Sequence, residues 1–154
     1  MENHSVSMEN KPSITFRAST ETDFDFVFEL NKTNMRQYVE KIRGWDDENE
    51  RADMKTKFTA GTDQIIQVDG KDAGVLRILE TPESIKLDHI ELLPEFQNKS
   101  IGTKIIKDLL SKSKQINLQV LKTNPAVELY KKLGFKIVDE TELKYQMMAT
   151  PSRA

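Results

Sequence analysis

Among its 154 residues the chain has no cysteine at all. That absence excludes disulfides, a thiol nucleophile and any cysteine-ligated metal site. Histidine is nearly as scarce, with only His4 and His89, too few for a histidine metal cluster. There is no secretory apolar segment and no run long enough to cross a bilayer, so a cytoplasmic location without membrane contact is expected. An excess of one charge is missing too: 23 Lys and Arg stand against 25 Asp and Glu, a net charge of −2. Such a balance gives no global attraction to nucleic acid or to an anionic membrane, which disfavours a nucleic-acid-binding domain.

What is present suits one folded unit. With 37% hydrophobic and 31% charged residues, the chain can bury a sizeable core beneath a solvated surface. Residues 1–12 are polar, lack a period and end at Pro12; a disordered tail is expected there, followed by a single domain over 13–150. Ile14 and Phe16 alternate with Thr15 and Arg17 in a short strand. A helix follows, with Thr20 and Asp23 at its start, Phe24, Val27, Phe28, Asn31, Met35, Tyr38 and Ile42 on one face, and Gly44 as its stop. Asp46 or Asp47 caps a second helix running to about Phe58. Ala52, Met54 and Phe58 are its only apolar residues, so it packs weakly and suits a mobile wall.

Gln64 to Val68, Asp69-Gly70 and Ala73 to Leu79 read as a hairpin with a tight turn. The next strand contains an irregularity. Ile85 and Leu87 set one alternation, whereas Ile90 and Leu92 belong to the opposite one. A slip near Asp88-His89 predicts either a strand buried on both faces or a β-bulge. Pro94 ends that strand. After Gly102, Ile105, Ile106, Leu109 and Leu110 recur at helical spacing. The loop Gln97-Asn98-Lys99-Ser100-Ile101-Gly102-Thr103 therefore sits at a helix N-terminus, where free N–H groups and the helix dipole favour an anion. It is neither a Walker loop nor a dinucleotide fingerprint, because the required Gly-Lys-Ser/Thr and the additional glycines are missing.

Downstream, Ile116, Leu118 and Val120 alternate in another strand. Asn124 is then a favoured N-cap with Pro125 at the first helical position; Ala126, Leu129, Tyr130 and Leu133 share a face, and Gly134 ends the helix. Phe135 to Val138 and Leu143 to Met147 close the chain as a strand pair. The predicted order is β-α-α-β-β-β-α-β-α-β-β.

Two of these segments carry a resemblance. The loop resembles the Q/R-x-x-G-x-G/A phosphate cradle of GNAT-superfamily N-acetyltransferases, with Gln97, Gly102 and Thr103 at or near pattern positions and Ser100 where the pattern has glycine. Asn124 to Phe135 resembles the second motif of that family, N-P/x-A-x-x-L-Y-x-x-x-G-F, in the expected order on a strand-helix unit. Met35-Arg36-Gln37-Tyr38-Val39 with Gly44-Trp45-Asp46 is similar to a bacterial subgroup of the family whose acceptor is uncharacterised. Asn34 and Arg43 stand where that subgroup has Thr and Trp.

The resemblance covers about residues 14–148. It implies a GNAT-like α/β (α+β) fold: a mixed, mostly antiparallel central sheet with a splayed central strand and acetyl-CoA in the gap. It implies direct transfer of an acetyl group from acetyl-CoA to a primary amine of a small molecule or protein, without a metal. Gln97, Asn98, Lys99, Ser100, Ile101, Gly102 and Thr103 would grip the pyrophosphate. The backbones of Leu92 and Leu93 would pair with the pantetheine arm, one of their N–H groups polarising the thioester carbonyl. Asn124 would bond the arm, and Tyr130 would protonate the departing thiolate. Glu91 and His89, on one face of the central strand, are both candidates for the base. Tyr38 and Trp45 are candidates for the acceptor pocket. Sheet pairing between subunits, common in the family, leaves a homodimer open. The competing expectation is an acyl-CoA-binding sensor module of the same fold with weak catalysis, for which Ser100 at a glycine position is the main support.

Overall fold

The structure, a computed structural model, describes residues 11–151. Most of the tail expected over residues 1–12 therefore lies outside the described residues. The elements run β1 (Ile14–Ala18), a 3-10 turn (Glu21–Asp23), α1 (Phe24–Arg43), α2 (Asp47–Lys57), β2 (Gln64–Val68), β3 (Lys71–Glu80) and β4 (Ser84–Leu92). A second 3-10 turn (Pro94–Phe96), α3 (Ile101–Leu110), β5 (Gln115–Leu121), α4 (Ala126–Lys132), β6 (Lys136–Glu140) and β7 (Lys144–Ala149) complete the chain. The predicted order of strands and helices is the observed one.

The strands form one sheet in the order β1-β2-β3-β4-β5-β7-β6. Every pair is antiparallel except β4 with β5. Alternation along the central strands sends side chains to two opposite cores. Ile66, Leu76, Ile85 and Leu87 pack with Ile101, Ile105, Ile106 and Leu109 of α3 and with Val127 and Tyr130 of α4. Their sequence neighbours Ile65 and Val75 pack with Val27 and Leu30 of α1. The sheet is thus sandwiched, with α1 on one face and α3 and α4 on the other.

Local chemistry explains the element ends. The Thr20 N–H donates to Asp23 Oδ2 at 2.8 Å ahead of α1, and Gly44, at φ 80°, ends that helix. Asp46 Oδ1 accepts from the N–H groups of Glu48 and Asn49 at the start of α2. Asp69 and Gly70, at φ 52° and 83°, make the hairpin turn. Helix α2 buries none of its residues, as its thin apolar content predicts. It is held by Phe58 against the Phe24 ring, with centroids 5.6 Å apart.

Two expectations need correction. Phe16 is 43% exposed, while its neighbour Arg17 is drawn inward by Asp23, with two contacts of 3.0 Å; the ion pair sets which side chain β1 shelters. In α4, Val127 is buried beside Tyr130, so the inward face lies further toward Val127 than the alternation of Ala126 and Leu129 implies.

Candidate active site

The register of β4 builds the site. Arg77 pairs with His89 and Ile78 with Leu87, which leaves Asp88 as the extra residue of a bulge. Before the bulge Ile85 and Leu87 face α3; after it Ile90 packs with the same core and Leu92 belongs to it. His89 and Glu91 are consequently turned toward α1, where the Glu91 carboxylate accepts from Asn31 Nδ2 at 2.7 Å. The bulge thus satisfies the apolar pattern on one face and exports two titratable groups to the other.

Beyond the bulge β4 also leaves its parallel neighbour. Pairing with β5 covers Ser84 to Leu87 against Gln115 to Leu118 and then stops, although both strands continue. A cavity of ≈ 640 Å³ occupies the splay and reaches the α1 face. Glu91, His89, Asn124, Tyr130, Met35 and Trp45 are among the residues lining it. The Glu91 side chain is 9% exposed. Its Oε2 also meets His89 Nε2 at 2.7 Å, whereas its Oε1 is buried without a hydrogen-bond partner among the described residues.

Backbone polarity in the splay follows from one bond. The Leu93 N–H donates to the Ala73 carbonyl at 2.8 Å, so by strand alternation the N–H and C=O of Leu92 point away from β3. The Leu92 carbonyl accepts from Asn34 Nδ2 at 2.7 Å and from Gln97 Nε2 at 2.9 Å. Its N–H points the same way, into the splay. Of the two backbone donors expected there, Leu92 is available and Leu93 is committed to the sheet. Gln97 braces the end of β4 through its side chain, which also donates to Asn34 Oδ1 at 3.1 Å.

Gly74, opposite Leu92, explains how the strands fit at this point. A Cβ on Gly74 would stand 2.1 Å from the Glu91 carbonyl oxygen. Glycine inside a strand is the signal of such close backbone approach, and sequence reasoning missed it. Asn31 and Asn34 were also missed as polar partners, because Asn31 read as an ordinary position on a helix face and Asn34 only as a departure from the subgroup pattern.

The loop before α3 has the expected anion geometry. Asn98 and Ser100 adopt positive φ, 60° and 64°. No acceptor among the described residues bonds the N–H groups from Asn98 to Thr103; the first committed donor is Lys104, to the Ser100 carbonyl at 3.0 Å. A Cβ on Gly102 would meet only Leu92 Cδ1, at 3.9 Å, so the protein itself does not fill the space above that glycine. Lys99 is exposed beside this row of donors. A diphosphate therefore fits these residues, and the splay alongside has room for an extended arm.

Asn124 caps α4 by accepting from the Ala126 N–H at 2.9 Å, and its Nδ2 lies 3.9 Å from Met35 Sδ across the cavity. Tyr130 packs against Phe135 with centroids 5.6 Å apart. Burial, and secondarily the Glu91 charge, push its hydroxyl up to about 12. Trp45 lines the cavity, its Nε1 donating to Asp47 Oδ1 at 3.1 Å. Tyr38 is not among the lining residues; Val39 takes that position on α1, because the inward row runs in steps of four from Val27.

Arg77 closes one end of the cavity. It pairs with Asp63, which is 2% exposed, and donates to the Lys57 carbonyl at 2.9 Å. Its Nη1 lies 3.5 Å from the bulge residue Asp88. The Asp63 carboxylate, against burial, holds the guanidinium above its ordinary value.

The sequence profile of the family described as Acetyltransferase (GNAT) domain matches residues 35–151. The chain belongs to the GNAT acetyltransferases. No curated protein sequence matches it. Among solved structures it is similar to the PaiA N-acetyltransferase of Thermoplasma acidophilum in complex with coenzyme A, at 20% identity and TM-score 0.60, covering 90% of this chain and 99% of that one. The ribosomal-protein-S18-alanine N-acetyltransferase of Escherichia coli is similar at 16% identity and TM-score 0.60, covering 92% and 96%. Arabidopsis thaliana Naa50 with the bisubstrate analogue CoA-Ac-MVNAL is similar at 18% identity and TM-score 0.57, covering 90% and 99%. At these identities the likeness extends to the fold alone.

Proposed function

We propose that the protein is an acetyl-CoA-dependent N-acetyltransferase that transfers acetyl directly to a primary amine. The observation that carries this reading is the cavity in the β4–β5 splay, onto which a buried carboxylate and a protonated phenol both open. Acetyl-CoA supplies the activated acyl group as a thioester. The N–H groups from Asn98 to Thr103 hold its diphosphate, and the Leu92 N–H meets the thioester oxygen. The incoming amine loses its proton to the Glu91–His89 pair, directly or through water. The Tyr130 hydroxyl faces the sulfur and shields the charge that develops as the C–S bond breaks.

The test is CoA-dependent thiol release over an amine panel, with Glu91→Gln and Tyr130→Phe beside the native protein. Release that requires an amine and falls in both variants is the expected result. A second reading is favoured by Ser100, a left-handed residue with a Cβ where the phosphate-cradle pattern has glycine. Acyl-CoA binding without turnover on any amine would select that sensor reading.

A further inference from the structure

We infer that the acceptor is a primary alkylammonium, one cationic head on an apolar stem, with the head on Glu91 Oε1. This rests on the N-acetyltransferase reading and specifies its substrate. The inference starts from an unmet need. Asn31 and His89 both reach Glu91 Oε2, and Oε1 is buried with no partner among the described residues. A buried carboxylate oxygen is costly unless a donor or cation meets it. A free ammonium supplies both.

The walls beside that oxygen describe the rest of the molecule. On α1, Asn31 is flanked one turn away by Val27 and by Met35, with Val39 a turn further, and all four line the cavity. Met54 of α2 and Phe58 just after it contribute to the same cavity. A stem leaving Glu91 along α1 therefore meets hydrocarbon and thioether. The other acidic groups of the cavity already have cations. Glu50 pairs with Arg43 and Asp63 with Arg77, while Asp53 is 3.1 Å from Lys57 and Asp88 3.6 Å from Lys86. Lys144, exposed at the start of β7, is separated from β4 by β5. Glu91 itself has His89 on Oε2, so on the α1 side this leaves, among the described residues, one unmet acceptor for a ligand, Glu91 Oε1. A monoamine matches it better than an amino acid, an aminosugar or a polyamine.

Trp45 lines the cavity and is the chain's only tryptophan, so its emission reports occupancy. The experiment titrates CoA-loaded protein with n-alkylamines from propyl to octyl, the matching alcohols, glycinamide and glucosamine, and follows thiol release from acetyl-CoA with the same amines. Affinity should rise about three- to fourfold per methylene until the cavity is filled. Glu91→Gln should weaken hexylamine at least tenfold and leave hexanol unchanged. Should that variant fail to fold, Met54→Gln, on the exposed helix α2, should flatten the dependence on chain length.

Glycinamide or glucosamine binding as tightly as hexylamine overturns the inference, as does an equal loss for amine and alcohol in Glu91→Gln. Two failures are separable. Alkylamines that bind in the expected order yet release no thiol remove the acetyltransferase reading and leave the ammonium site. Turnover of glucosamine or glycinamide with none of the alkylamines does the reverse.

Discussion

The Nε2 of His89 and the Oε2 of Glu91 stand 2.7 Å apart; strand alternation puts the two on one side of β4, and the bulge at Asp88 makes that side the α1 face. Burial disfavours the imidazolium, but the charge and hydrogen bond of Glu91 outweigh it and raise His89 above its ordinary value of 6.5. Asp63 acts in the same direction and Arg77 opposes it. A raised histidine stabilises the fold fully below its unfolded value, and that contribution disappears as pH rises through the folded one.

Stability should therefore fall as pH rises from about 6.5 through the raised His89 value in the native protein, and this component should be absent in His89→Gln. Urea unfolding at intervals across that range measures it. Identical pH slopes for the two proteins would mean that His89 stays neutral beside Glu91.

Gly74→Ala tests how tightly the end of β4 is fixed. The added Cβ meets a backbone carbonyl, which no side-chain rotation can move away. A loss of stability of about 1–3 kcal/mol is expected, in the range of overpacking changes. Because the displaced atoms belong to Glu91 and Leu92, kcat should fall with it even at temperatures where the variant is fully folded. A stable variant with native kcat would show that the strand pair slides without cost to the site.

Much of this was readable in the residues themselves. The slip between Leu87 and Ile90 located the bulge to within a residue, since apolar alternation cannot change phase without one or a strand buried on both faces. Asn124-Pro125 and Asp69-Gly70 fixed a helix start and a hairpin by local stereochemistry alone. Phe16 was misjudged because its exposure depends on a long-range ion pair, Arg17 with Asp23 and Asp72. Tyr38 was placed one position off the inward row, since a wide apolar face on a long helix does not specify its rotation. Asn31, Asn34 and Gly74 act through partners 17 to 63 residues away, as with Asn31 and Glu91 at a separation of 60. A pattern confined to one element does not contain such contacts.

Ser100 and Gly102 make a contrasting pair in the phosphate loop. Ser100 is left-handed at φ 64°, which costs a residue with a Cβ about 1 kcal/mol. Ser100→Gly should recover that stability and hold or improve CoA affinity. Gly102 is helical, so Gly102→Ala should also stabilise, by up to about 1 kcal/mol, but weaken CoA by placing a methyl group where the ligand approaches. Denaturation and calorimetry read the two effects separately. Weaker CoA binding in Ser100→Gly would mean that the serine hydroxyl contacts phosphate. Unchanged CoA binding in Gly102→Ala would move the diphosphate off this turn.

Tyr130 gives the test closest to the chemistry. A phenol raised to about 12 is protonated throughout the usual assay range. Full transfer of its proton to a thiolate, whose ordinary value is about 8.5, is uphill. Its main effect is then a hydrogen bond to the sulfur as charge develops, with the proton following late. Tyr130→Phe removes that bond and almost no volume, so CoA affinity and folding should persist while kcat falls by about a hundredfold. The pH profile carries the sign of the shift. An ordinary tyrosine would impose an alkaline loss of kcat centred near 10.0, whereas this one defers it toward about 12. The variant should therefore lie below the native enzyme by a constant factor up to roughly pH 10, without loss of an alkaline limb in that range. A native kcat in Tyr130→Phe would return the residue to packing against Phe135. A limb near neutral-to-alkaline pH that vanishes in the variant would mean that, in the complex, burial does not hold the phenol near about 12.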